Sequence, residues 1–378
     1  MKSILFVNTS SLPIPATSGG AIQQVFGNIL RLIDRTKYHI TVITPSTEES
    51  KLQQKEAFFK EIEWIDIQGE VRSGGIKGIL NSRRVLHASL ASLDPARFSS
   101  VVVFDPYLAP IVKRWSPKAK VIWSAHNTRE KSKWLLRFWM KKIDTIVSVS
   151  EFLKDSLETS IGTQSKHLTY EHAVIYNPLQ KEWLEKPVTK SKKPGSILFC
   201  GRIVPHKGLD ILLAAIEQLP QEIRSNVHLG IAGGSHFNNS VETNYVKSIK
   251  EKLEGSDYSC KMYGFVNHEA LIDIYDEYEI LVVPSNWAEP ATLVTAEGQL
   301  RECKIIASAA GGLPELVSPP WKESIFPAGD AACLKAVLEK MLTDRGQSQE
   351  KVVSARKWVM NQFTDRKLSE RWSSVLGG

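Results

Sequence analysis

Short apolar runs alternate with amphipathic segments twice along this chain, and no other feature restricts its fold as much. In the first half, residues 4–7, 39–43, 101–104, 121–123 and 145–149 read as buried strands, and residues 21–33, 85–92, 130–141 and 151–159 have helical spacing. The pattern resumes with strands at 196–200, 228–232, 261–263, 280–283 and 304–307, and with helices at 208–218, 240–253, 268–275, 290–300 and 331–342. Strands that alternate with helices build βαβ units and a mostly parallel sheet. A chain of 378 residues can fill two such cores. The expected architecture is α/β, with two Rossmann-like, doubly wound domains facing across a cleft at the strand C-termini, where sheets of this kind bind ligands. The polar, turn-rich stretch 190–195 places the boundary: a first domain at 1–180, a linker at 181–194, a second domain at 195–361 and a terminal helix at 362–378. In the tail, Val353, Trp358, Val359, Phe363, Leu368, Trp372 and Leu376 are spaced as on amphipathic helices.

Two glutamates eight apart, Glu289 and Glu297, carry the clearest chemical signal. Pro290 suits the first position of a helix running to Leu300, which puts Glu289 at its mouth and Glu297 two turns in, roughly 12 Å along the axis. First-turn amides between them bind anions, so a ligand with polar ends and a central phosphate, such as a nucleotide-sugar, fits the spacing. Arg202 and Lys207 stand five apart on a predicted loop between Gly201 and Gly208 and can converge on one anion. In the first half, Gly19 and Gly20 open a predicted helix where backbone amides can approach a phosphate. There is no Gly-x-Gly-x-x-Gly fingerprint, which argues against a nicotinamide-dependent oxidoreductase.

These stretches resemble the motifs of the family 4 retaining glycosyltransferases, which have the GT-B fold. Glu289 and Glu297 match that family's Glu-x7-Glu, Gly201-Arg202 with Lys207-Gly208 its Gly-Arg…Lys-Gly loop, and Gly311-Gly312-Leu313-Pro314-Glu315 its Gly-Gly-x-Pro-Glu turn. Residues 12–23 look like its glycine loop, in wording similar to the spore-coat-associated branch. The resemblance implies that Arg202 and Lys207 bind the distal phosphate, Glu289 the sugar hydroxyls and Glu297 the ribose hydroxyls. Leu293 and Val294 would supply amides or packing near the phosphates, and Gly20 and His126 would serve from the acceptor-side domain. It also implies a return of the last helix to the first domain, a nucleoside diphosphate sugar donor with UDP favoured, a glycan or lipid-linked acceptor, and neither cofactor nor metal. Two departures stand out. Ala291 and Thr292 replace an aromatic residue and a glycine, and Glu302 and Lys304 replace a glycine and a proline, so the helix before them is expected to end differently. A GT-B shell kept as a structural coat or complex protein is the alternative reading.

The remaining signals concern location. Cys200, Cys260, Cys303 and Cys333 are scattered without paired spacing, which fits a reducing compartment and no structural zinc. The first apolar run is too short for a signal peptide and no stretch reaches membrane-spanning length, so a cytoplasmic protein is expected. The net charge of +7 is local: residues 113–142 hold ten Lys or Arg against Glu130, a segment of +9 in a chain otherwise at −2. Trp134, Leu135, Phe138 and Trp139 interleave with those cations. A peripheral surface for anionic lipid at the inner membrane face and a core helix with a basic solvated side both fit this pattern. No nucleic-acid motif accompanies it.

Overall fold

The computed structural model describes residues 1–17, 21–67, 75–128, 133–162, 168–188, 190–234, 243–344 and 348–377. The chain forms two units, one of Met1–Pro178 with Asp365–Gly378, the other of Leu179–Thr364.

The first unit holds β1 (Lys2–Val7), β2 (Tyr38–Thr44), β3 (Glu63–Asp66), β4 (Phe98–Val103), β5 (Lys120–Ala125), β6 (Thr145–Ser148) and β7 (Glu171–Val174). They make one parallel sheet in the order β3-β2-β1-β4-β5-β6-β7. Ile4, Leu5, Phe6 and Val7 are all fully buried, because a parallel strand covered on both faces needs apolar side chains on both. The edge strands β3 and β7 lack such a run: every residue of Glu-Trp-Ile-Asp in β3 is half-buried, and neither strand is visible in the sequence pattern. The helix Asp365–Val375 completes this unit. It buries Leu368, Trp372 and Val375 on one face, packs on the helix Ala21–Leu32, and leads to Leu376, whose carbonyl accepts from Ser100 Oγ at 3.3 Å. Each large side chain so covered contributes about 1.5–3 kcal/mol.

The second unit holds β8 (Lys193–Cys200), β9 (His228–Ala232), β10 (Ser259–Gly264), β11 (Tyr278–Val283), β12 (Lys304–Ser308) and β13 (Ile325–Phe326), parallel in the order β10-β9-β8-β11-β12-β13. The described residues of the expected linker, 181–188 and 190–194, are not a free linker. Lys181–Glu185 is helical with Trp183 fully buried, and β8 already begins at Lys193. The cause is Arg301, which has no exposed surface. Its guanidinium pairs with Asp276 at 2.7 and 2.5 Å and donates to the carbonyls of Lys186 at 2.6 Å and Pro187 at 3.0 Å, tying the segment to the core. A buried ion pair offsets its desolvation only when its remaining hydrogens are also bonded, and those two carbonyls do that.

The helix Val294–Leu300 does not end differently for want of a glycine. Glu302 takes φ 60°, the described non-glycine residue with positive φ, and stands where the missing glycine would be. Its N–H donates to the Gln299 carbonyl at 3.1 Å, and the Cys303 N–H donates to the Gly298 carbonyl at 2.8 Å, the bond pair of a Schellman end. A β-carbon in this conformation costs roughly 1–2 kcal/mol. The Arg356 guanidinium at 3.4 Å from the Glu302 carboxylate returns part of that. Glu302→Gly is therefore expected to raise stability by about 0.5–1 kcal/mol, with Glu302→Ala giving no gain. Denaturant unfolding of the two variants checks it, and equal loss in both would show that the ion pair outweighs the backbone.

Candidate active site

In the second sheet the chain runs outward one way from β8 through β9 to β10, and the other way from β11 through β12 to β13, so the strand order reverses between β8 and β11. Ligands of open α/β sheets bind beyond the strand C-termini at that reversal. The loop after β8 carries Gly201, Arg202 and Lys207, and the loop after β11 carries Glu289. The sheet topology thus brings together residues that are 82 positions apart in the case of Lys207 and Glu289.

The two loops are sewn to each other. The Asn286 N–H donates to the His206 carbonyl at 3.1 Å, and the Gly312 N–H to the Glu289 carbonyl at 2.7 Å. Close approach is possible because of two glycines. Gly208 has φ 72°, and a β-carbon there would collide with the Pro284 carbonyl; Gly311 has φ 60°, and a β-carbon there would collide with the Glu289 backbone. Glu289, 3% exposed, takes a hydrogen bond on Oε1 from Ser285 Oγ at 2.9 Å and pairs through the same oxygen with Lys207 Nζ. Its Oε2 accepts none among the described residues. Arg202 is exposed. Burial, followed by the charges of Arg202 and Lys207, lowers the His206 pKa, an electrostatic sign that this loop is a positive place.

The helix after Glu289 begins at Val294, with Leu293 as its cap, and not at Pro290. The Glu289 carbonyl, which a helix from Pro290 would use for its first bond, accepts from Gly312 instead. The first bond is instead from Glu297 N–H to the Leu293 carbonyl at 2.7 Å, so Glu297 lies in the first turn, 4% exposed. His268 Nε2 lies 3.1 Å from Glu297 Oε1, and Tyr275 Oη donates to Oε2 at 3.3 Å. Cys200 at the end of β8 is half-buried, and desolvation of its thiol with the nearby Glu297 charge pushes it up to about 12, which leaves it inert. For His268, burial pulls the pKa down, but the hydrogen bond and charge of Glu297 and the charge of Glu182 outweigh it and the pKa is raised. Sequence reading missed His268 and Tyr275. Each is one polar residue on an ordinary helix, His268–Glu277, and only packing aims it at Glu297.

In the first unit, His126 follows β5, half-buried, its ring stacked on Phe104 at 5.2 Å and Nε2 3.0 Å from Ser124 Oγ. Burial pulls its pKa down to about 4, so it is a neutral imidazole near pH 7. It lines a small pocket with Asn8, Gln23, Asp105 and Trp123, at the reversal of this sheet between β1 and β4. Gly19 and Gly20 lie outside the described residues, as do Arg129, Glu130, Lys131 and the side chains of Lys133 and Trp134. Of the other cations in the basic segment, Lys113 pairs with Asp144 at 2.7 Å, Lys120 with Glu171 at 3.0 Å, and Arg137 donates to the Ile161 carbonyl at 2.6 Å. Leu136 and Met140 are buried while Phe138 is exposed, so the helix Lys133–Met140 has a core side. Among the described residues no helix is long and apolar enough to cross a membrane.

Residues 180–358 match the family described as glycosyl transferases group 1. YtcC of Bacillus subtilis (strain 168) is 24% identical over 389 residues, covering 98% of this chain and 91% of that protein. Spore coat protein SA of the same organism is 25% identical over 330 residues, covering 83% of this chain and 82% of its own. Anabaena Alr3699/HepE, solved in complex with UDP-glucose, is similar in fold with a TM-score of 0.74 at 16% identity, covering 100% of this chain and 99% of that one. The motifs after β8, β11 and β12 fall inside the matched residues, so residues 180–358 are a group 1 glycosyl transferase domain, and the chain as a whole has the GT-B fold.

Proposed function

We propose that this glycosyltransferase moves a hexose or N-acetylhexosamine from a nucleoside diphosphate sugar, UDP favoured, to a glycan or lipid-linked acceptor with retention, in cell-envelope or spore-coat polysaccharide assembly. One observation carries the donor half of this reading: Glu289 and Lys207 are held against each other at the sheet reversal, one carboxylate oxygen still open, with exposed Arg202 on the Lys207 loop. Breaking a sugar–phosphate bond leaves charge on the diphosphate, and cations placed in advance lower that barrier. Lys207 passes from Glu289 to the distal phosphate, joined by Arg202, while sugar hydroxyls take its place on Glu289. Glu297 accepts from the ribose, and the Leu293–Val294 turn lies beside the phosphates. The transition state has oxocarbenium character. We assign the acceptor side to the first unit, where His126 is a neutral hydrogen-bonding ring. UDP-glucose in the Alr3699/HepE complex and the name of spore coat protein SA support donor and setting. Slow hydrolysis across a panel of nucleotide-sugars tests the reading, and no turnover with any donor would leave a structural shell.

Arg202 is the clean probe of leaving-group stabilisation, since it is exposed. Arg202→Ala is expected to fold normally and to lose roughly a hundredfold in turnover with the true donor. Lys207→Ala is expected to lose activity and also about 1–3 kcal/mol of stability, because it strands a buried carboxylate. Adding Glu289→Gln to Lys207→Ala should restore much of the stability and none of the activity.

The two glutamates should separate by ligand. Glu297→Gln is expected to weaken free UDP and the nucleotide-sugar alike, and Glu289→Gln to weaken only the part of binding that the sugar adds. Calorimetry with both ligands decides, and equal losses in both variants would contradict the division.

With Arg202 and Lys207 covering the diphosphate, activity is expected to survive a chelator. Complete loss, restored by manganese or magnesium, would mean that these two cations do not suffice.

A further inference from the structure

Glu297 is nearly closed off from water, and among the described residues no Lys or Arg pairs with it; His268 and Tyr275 hold its two oxygens. A carboxylate has about four acceptor sites, so two are taken and two remain, the number that a vicinal diol needs. The arrangement is only useful if His268 presents an N–H, and not a lone pair, to Oε1. That is decided at the other ring nitrogen. Trp183 Nε1 donates to His268 Nδ1 at 2.7 Å, and the Gln180 side-chain oxygen lies 2.6 Å from the same atom. An indole N–H can only donate, so in the neutral ring Nδ1 must accept and the proton sits on Nε2. In the charged ring Nδ1–H has the Gln180 oxygen, and Nε2 again carries a proton. Both protonation states therefore point Nε2–H at Glu297.

We propose that Trp183 and His268 are positioning residues for the nucleotide's ribose: Trp183 locks the His268 tautomer, and His268 holds Glu297 with two acceptor sites turned to the ribose hydroxyls. The proposal rests on the reading of Glu297 as the ribose acceptor. The supporting shell is rigid. Trp183 is fully buried, its ring 4.8 Å from His268 and 5.2 Å from Tyr275 between centroids. The charged and titratable groups acting on the His268 ring are Glu297 from the helix Val294–Leu300 and Glu182 from the helix Lys181–Glu185, and Tyr275, from the helix of His268 itself, and Cys200 also act on the carboxylate.

The test measures Kd for UDP and for 2′,3′-dideoxy-UDP by calorimetry in the full chain, with thermal unfolding as a check on each variant. The wild type is expected to prefer UDP. His268→Leu should lose about tenfold for UDP and leave dideoxy-UDP nearly unchanged, while His268→Gln, whose amide can still donate, should keep most of the preference. Trp183→Phe frees the neutral ring to put its proton on Nδ1 toward Gln180. Its preference should therefore fall, relative to wild type, as pH rises from about 6 to about 9. If the wild type itself shows no preference, the ribose role of Glu297 fails and this proposal with it. A wild-type preference that survives intact in His268→Leu overturns the positioning role alone. Trp183→Phe that tracks the wild type at every pH overturns the tautomer lock.

Discussion

Backbone runs directly against backbone where the loops after β8, β11 and β12 meet, and only glycine leaves room for it. A side chain at Gly208 would strike the Pro284 carbonyl, and one at Gly311 would strike the backbone of Glu289. Interiors at this density cannot absorb an added methyl group by small adjustment. Forcing the loops apart would break the Asn286–His206 and Gly312–Glu289 bonds and part Lys207 from Glu289. The glycines of the motifs thus act on the chemistry indirectly. They set the distance at which the charged residues meet.

Two ion pairs in the second unit, one buried and one half-buried, show how the same physics serves different ends. Arg301 and Asp276 are both sealed, and four donor contacts of the guanidinium are spent on protein atoms. With no exposed surface the guanidinium is out of a ligand's reach, and the pair fixes where the chain at 186–187 lies. Lys207 and Glu289 are bonded incompletely, with one carboxylate oxygen unspent among the described residues and a flexible amine as partner. An acceptor left unspent is what the proposed sugar contact needs, and a fully bonded pair has none to give.

Much of the architecture was legible because it rests on periodicity. The central strands β1, β4, β8 and β11 are continuous apolar runs, and a run of that kind has few other uses. The edge strands β3 and β7 were not legible, since a half-buried edge needs no such run. The helix before Glu302 misled in a different way. Composition there departs from a glycine rule, yet the backbone keeps the glycine conformation and carries the strain. A propensity is a cost and not a prohibition, and the bonds at Gln299 and Gly298 outweigh it. The start of that helix was misplaced for a non-local reason, the capture of the Glu289 carbonyl by Gly312.

What the sequence determined by itself is the list of chemical groups and the kind of scaffold. Arg202, Lys207, Glu289 and Glu297 stand in motif spacing, and the strand–helix alternation dictates parallel sheets. These follow from local order along the chain, which a sequence states outright. Tertiary structure alone decided that Lys207 would meet Glu289, that Arg202 would stay exposed, and that residues 181–188 would be folded in place. It also decided that Trp183, His268 and Tyr275 would converge on Glu297. Those outcomes depend on which strands become neighbours at the sheet reversal and on which donors burial forces to find a partner. Both are set by packing between residues far apart in the chain, so no spacing along it records them.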